Sequence, residues 1–250
     1  MLLKSKSGGV VILFSLFYTP GWFSGWDLAF DAVGIIVALL IAGFSWRVYK
    51  LSNENKFAYF SLAFVLVSIA ILFKVFTQGL VYFAPLRDMA TSILVPAVGR
   101  STVGVNNSVV FYRAGFLMWM MSMLGAWLLI FFISQKKEGR LHKYYEISQI
   151  ALFVYLIVLI SIVSNFQYYV FFLTSSVILG MTVLNYYKNY LNTNKNKNAF
   201  LVMLSFLFLL IGNMFFIFVF LYDIFYVFGE LFLLLGFLLL LYTYSKISMR

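Results

Sequence analysis

Residues 200–220, FLVMLSFLFLLIGNMFFIFVF, and 226–242, YVFGELFLLLGFLLLLY, decide the fold of this chain. Each run is long enough to cross a bilayer, because a spanning helix needs about 20 mostly apolar residues. Only Leu221-Tyr222-Asp223-Ile224-Phe225 separates them, so the two runs form a tight antiparallel hairpin. Glu230 lies inside the second run and Asn213 inside the first. Read outward from this hairpin, the chain is an all-α, polytopic membrane protein with a few costly polar groups in its interior.

Composition agrees. The 250 residues are 64% hydrophobic, 21% aromatic and 10% charged. An average soluble domain carries about 25% charged residues. So sparse a charge cannot cover a water-facing surface but suits a lipid-facing one. The chain has no Cys and a single His, His142. Disulfides, thiolate chemistry and multi-His metal or haem sites are therefore excluded. No catalytic, cofactor-binding or metal-ligating set is expected.

Seven spanning helices are expected over about Trp26–Tyr49, Phe57–Phe83, Val109–Ser134, Ile147–Ser164, Gln167–Tyr187, Phe200–Phe220 and Tyr226–Tyr242. Residues 1–25 form a signal-like or interfacial segment, with Lys4 and Lys6 before the apolar run Val10–Tyr18. Pro20-Gly21 ends that run, and Trp22 and Trp26 suit the headgroup level. The bundle occupies 26–245, and 246–250 form a short tail. The longest connection, Ala84–Ser108, contains Pro85, Pro96 and the sequon Asn106-Asn107-Ser108. Long connections of this kind are often lids or capping helices.

Lysine and arginine fix an expected orientation, since basic connections stay in the cytoplasm. Arg47, Lys50 and Lys56 follow the first helix. Lys136, Lys137, Arg140 and Lys143 follow the third; Lys188, Lys195 and Lys197 follow the fifth; Lys246 and Arg250 end the chain. The opposite connections hold only Arg87 and Arg100. The first helix thus starts outside and the C-terminus lies inside, in a multi-pass cell-membrane protein. The net charge of +10 is explained by this topology and by attraction to anionic inner-leaflet lipids, without nucleic acid.

An ionisable group deep in a bilayer costs about 2.5–3.5 kcal/mol on insertion scales. Asp27, Asp31, Lys74, Arg113 and Glu230 bear that cost, with Asp223 at an outer turn. At about 1.5 Å per helical residue, all fall in the outer half. Asp27 and Asp31 share a helix face, as do Lys74 and Gln78, and Tyr226 lies between Asp223 and Glu230 on one stripe. The expected outer polar cluster is therefore Asp27, Asp31, Lys74, Gln78, Arg113, Asp223, Tyr226 and Glu230. It either fixes helix register as interhelical glue or lines a cavity for a small polar or charged ligand. Snorkelling of Lys74 and Arg113 to the interface is the third reading.

Other features read as packing. Met118, Met120, Met121 and Met123 are spread around their helix rather than along one face. Gly229 and Gly236 permit close helix approach, and Thr174-Ser175-Ser176 and Asn213 lie near mid-membrane. His142 sits in a basic connection as a solvated residue.

The segments Trp26-Asp27-Leu28-Ala29-Phe30, Arg47-Val48-Tyr49-Lys50-Leu51 and Lys56-Phe57-Ala58-Tyr59-Phe60-Ser61-Leu62 resemble a group of uncharacterised prokaryotic, archaeal-type seven-helix membrane proteins. The resemblance covers the first two helices and implies a receptor-like topology, with no activity or functional residue to carry over. A retinal pigment requires a Schiff-base Lys in its last helix, and 226–242 contains none. The leading expectation is a receptor-like or sensory module with an outer ligand site and output through a membrane or cytoplasmic protein partner. The alternatives are a small-solute or ion transporter and a non-catalytic membrane-complex subunit.

Overall fold

The computed structural model describes residues 19–20, 22–23, 25–82, 106–135, 155 and 168–248. Six helices carry them: α1 (Trp26–Ser52), α2 (Asn55–Tyr82), α3 (Asn106–Ser134), α4 (Tyr168–Asn192), α5 (Lys197–Ile217) and α6 (Ile224–Ser248). All six are long and apolar enough to cross a membrane. The chain is thus an all-α bundle of the multi-pass membrane type. The expected fourth helix, Ile147–Ser164, lies outside the described residues except for Tyr155. So do nearly all of the N-terminal segment and the long connection, Arg87, Arg100, Lys136, Lys137, Arg140, His142, Lys143 and Arg250.

Local chemistry sets several helix ends. Gly25 enters α1 at φ 98°, a conformation that disfavours side chains with a Cβ. Asn53 ends α1 in the left-handed region, and its N–H donates to the Tyr49 carbonyl at 2.8 Å. Asn196 caps α5, its side chain accepting from the Asn198 N–H at 2.9 Å. The cap explains why α5 starts three residues ahead of the expected Phe200. The backbone of Asn106–Ser108 forms the first turn of α3, so the sequon lies in a helix, not in the loop expected for it.

The helices close into a ring in chain order, each packing on the next and α6 on α1. Direction follows from the side-chain contacts. Ser61 Oγ donates to the Ala42 carbonyl at 2.9 Å, so α1 and α2 are antiparallel. The Tyr186 and Phe206 rings stack at 4.9 Å, and those of Phe172 and Phe216 at 4.7 Å, so α4 and α5 are antiparallel. By contrast, α3 and α4 run the same way: Trp119 meets Phe171 at 4.3 Å, and Asn185 Nδ2 donates to Ser134 Oγ at 3.0 Å. Phe60 near the start of α2 stacks on Tyr244 near the end of α6, which sets α6 parallel to α1. The end where α1 begins is called the leading end below, and the other the trailing end.

Glycines allow the closest approach. A Cβ on Gly212 of α5 would sit 2.9 Å from the Gly229 carbonyl oxygen, and one on Gly229 of α6 would sit 2.8 Å from the Phe216 ring. Small residues at such seams let helix backbones touch, which is a main source of cohesion in lipid. Gly236 fits against Leu209 and Ser205 in the same way, so both expected packing glycines of the last helix serve the α5–α6 seam. The outer faces carry Leu39, Leu40, Leu62, Leu72, Phe76, Leu173 and Val177, all exposed, as a lipid-facing surface requires.

Candidate functional site

Four charged side chains are buried among the described residues: Asp27, Asp31, Lys74 and Glu230. All four belong to the leading half of the bundle. Three converge on one point. Lys74 Nζ, on α2, donates to Asp31 Oδ1 of α1 at 2.9 Å and to Glu230 Oε1 of α6 at 2.5 Å. The ammonium also lies 5.7 Å from the centroid of the Tyr226 ring. Gln78, one turn along α2, donates from Nε2 to the Tyr226 hydroxyl at 3.4 Å. Five of the eight expected cluster residues therefore meet: Asp31, Lys74, Gln78, Tyr226 and Glu230.

The helical pattern explains why. Asp31 and Gly34 share a face of α1, and Lys74 lies opposite on α2 beside Ile71, whose Cδ1 is within 3.4 Å of where a Gly34 Cβ would be. A larger residue at 34 would press on Ile71, at the place where α1 and α2 bring their charges together. Charge buried in lipid must be paired or coordinated, and Lys74 supplies the only ammonium that reaches both carboxylates among the described residues.

The other three residues behave differently. Asp27 is fully buried but takes no part in the triad. Its Oδ1 accepts from the Gly25 N–H at 2.8 Å and the Leu28 N–H at 2.9 Å, and Thr19 Oγ1 donates to its Oδ2 at 3.4 Å. An anion at a helix start is stabilised by the unpaired N–H groups there, so Asp27 fastens the entry of α1. Asp223 is exposed in the turn that precedes α6, outside the buried group. Its position in the turn leaves it free to face water. The Arg113 side chain lies outside the described residues.

Beside the triad is a cavity of about 60 Å³. Asp31, Lys74, Glu230 and Asn213 give it one polar wall, and an aromatic series gives the other. That series runs Trp119–Phe172–Phe216–Tyr226, with successive ring centroids 5.8, 4.7 and 5.5 Å apart. A water needs roughly 10–15 Å³ of such space, so the cavity holds a few waters or about four heavy atoms. Asn213 Nδ2 donates to the Leu209 carbonyl at 3.0 Å within α5. Asp31 Oδ2 is buried with no hydrogen-bond partner, as is Gln78 Oε1.

The remaining polar features stay local. Thr174 Oγ1 donates to Val170 O at 2.8 Å, while Ser175 and Ser176 have no partner for their hydroxyls. Met118 is exposed, whereas Met120 and Met123 are buried in the core, which is the spread around the helix expected of packing residues. The aromatic wall had no distinct signal in the sequence. Trp119, Phe171, Phe172 and Phe216 are four aromatics in a chain with 30 Phe and 5 Trp, and lipid accepts such residues as readily as a cavity does.

No family model matches this chain, and neither a curated protein nor a solved structure does. The site is therefore read from its own geometry.

Proposed function

We propose that this protein is a receptor-like membrane module that binds a small charged ligand in the cavity beside Asp31, Lys74 and Glu230. The observation that carries the reading is the charge count. Two carboxylates share one ammonium, and one oxygen of Asp31 has no partner, next to a space large enough for a small molecule. A buried polar group without a partner costs about 1–3 kcal/mol. A ligand that supplied the missing donor would recover part of that cost.

The proposed topology has seven crossings. Because α3 and α4 run the same way, Ser134 and Tyr168 end and begin at opposite ends of the bundle. We assign a return crossing between them to Ile147–Ser164, the apolar stretch of suitable length. The exposed Arg47, Lys50, Lys56, Lys188, Lys195, Lys197 and Lys246 all lie at the trailing end. That supports a cytoplasmic trailing end, where the basic rim meets anionic inner-leaflet lipids and an acidic partner surface for output. The leading half, with its cavity, then faces outside. A transporter would need a polar path through the trailing half as well. Among the described residues, no buried charge lies there.

A second reading follows from the short Lys74 contacts: the triad is pure glue between α1, α2 and α6. One experiment separates the two. Asn213→Cys places a thiol on the cavity wall, and Val177→Cys on α4 is a lipid-facing control in a chain with no native cysteine. Intact cells are treated with a membrane-impermeant thiol reagent. Modification of Asn213→Cys but not of the control supports a water-accessible site open to the outside. A folded Asn213→Cys protein that stays unmodified leaves only the glue.

A further inference from the structure

The wall chemistry narrows what the cavity takes. With both carboxylates ionised, the triad carries one negative charge in excess, so a neutral or anionic ligand would leave that charge uncompensated. The ligand is then a monocation. A hard metal cation calls for six or more oxygen ligands. This cavity offers the two carboxylates, Asn213 and Tyr226, with an ammonium already seated between the carboxylates. Its remaining walls are aromatic and aliphatic. An ammonium group carrying alkyl substituents matches both halves. It donates to carboxylate oxygens, and its carbons and positive charge are accepted by ring faces.

We infer that the cavity is a binding site for a small alkylammonium ion of about four heavy atoms. Its N–H groups donate to the carboxylate oxygens of Asp31 and Glu230 that Lys74 leaves unbonded, Asp31 Oδ2 above all. Its alkyl part lies on the Trp119–Phe172–Phe216–Tyr226 wall. Lys74 holds the two carboxylates in place and excludes dications, since a second added positive charge would outnumber the anions. The groups facing the bound ammonium are Asp31 from α1, Lys74 from α2, and Tyr226 and Glu230 from α6, with Asp27 one turn away on α1. This inference rests on the proposed ligand site and goes beyond it by naming the ligand class.

The probe is n-propylammonium, which has four heavy atoms, with 1-propanol as a neutral body of the same size and sodium chloride as the ionic control. The rate of thiol modification at Asn213→Cys is followed in protein reconstituted in lipid nanodiscs. Propylammonium should slow modification at least fivefold and saturably, while propanol and sodium chloride leave it within twofold. In the Asp31→Asn, Asn213→Cys protein the protection should fall away while modification itself persists. As a check free of the cysteine, propylammonium should raise the unfolding temperature of the unaltered protein, and propanol should not. Equal protection by propanol would mean that water or any small neutral body fills the cavity, and would overturn the inference. So would protection that survives Asp31→Asn, or modification that propylammonium leaves unchanged. Those results would leave the ligand-site reading standing, whereas an Asn213→Cys thiol that never reacts removes both.

Discussion

The two halves of this bundle handle charge in opposite ways. In the trailing half, Lys56 pairs with Glu54 on the surface, and both side chains are about half exposed, at 56% and 52%. The interior there is apolar and aromatic, with Phe60 stacked on Tyr244 and Tyr186 on Phe206. Its buried hydroxyls turn to backbone: Ser45 and Ser61 of the α1–α2 seam donate to the Phe57 and Ala42 carbonyls. In the leading half, among the described residues, Asp223 is exposed in its turn and the other charges are inside. Lys74, Asp31 and Glu230 expose 9%, 5% and 6% of their side chains. The same ion-pair chemistry is therefore an ornament of solvation at one end and a structural commitment at the other. Water and salt screen the first pair, whereas burial shields the second from bulk solvent.

The largest expected effect comes from removing the shared cation. Lys74→Met keeps most of the volume but leaves two buried carboxylates without their shared cation. Breaking a buried pair from one side costs about 3–5 kcal/mol. Unfolding in mixed micelles should show a loss of that order, or no folded protein at all. A loss below about 1 kcal/mol would mean that the triad behaves like an exposed, screened ion pair, and the contrast between the halves would fail.

Next comes Gly229→Leu. The added side chain must enter the space of the Phe216 ring, against which even a Cβ would stand at 2.8 Å. Overpacking a seam of this kind costs about 1–3 kcal/mol. Phe216 also belongs to the cavity wall, so the change should alter thiol modification at Asn213→Cys as well as stability. Gly43 has nothing within 4 Å of its Cβ position, and Gly43→Ala should leave both readouts unchanged.

The carboxylates themselves should not be equivalent. Lys74 lies closer to Glu230, at 2.5 Å, than to Asp31, at 2.9 Å. Asp31→Asn leaves the shorter pair intact and removes the excess negative charge, and its cost should stay under about 1 kcal/mol. Glu230→Gln breaks the shorter pair and keeps the carboxylate whose Oδ2 has no partner, at about 1–3 kcal/mol. Reversal of this order in micelle unfolding would place the excess charge on Glu230 and would move the proposed ammonium contact with it.

How far the sequence carried these features depends on whether lipid tolerates the residue. Lys74, Asp31 and Glu230 were legible because a charge inside an apolar helix has few stable options, and pairing is the commonest. That they share one half of the bundle was legible too, since depth follows from position along each helix. Asp223 lies one residue outside α6 and is exposed, so it stays outside the buried group. Asp27 was legible as buried but not as a helix fastener. That role depends on Gly25 at φ 98° folding the entry back onto its carboxylate. The parallel run of α3 and α4 was implied by counting seven crossings but not by any pair of residues. The aromatic wall was invisible, because hydropathy cannot tell a ring that faces a cavity from one that faces lipid.

The smallest effect should come from the trailing end. Lys56→Ala removes an ion pair that is longer in name than in energy, since Lys56 and Glu54 are two residues apart and both reach water. Its loss should change stability by less than about 0.5 kcal/mol, and by less still in high salt. Lys56 nevertheless belongs to the exposed basic rim with Arg47, Lys50, Lys188, Lys195, Lys197 and Lys246. Each such charge near an anionic membrane surface is worth roughly 1 kcal/mol of attraction. Replacing Lys195 and Lys197 together by Gln should therefore weaken enrichment of anionic lipid around the reconstituted protein while leaving its unfolding midpoint where it was. Lys74 should do the reverse, governing the midpoint with no effect on lipid enrichment. If the rim lysines moved the midpoint as Lys74 does, the division of labour between the two halves would have to be abandoned.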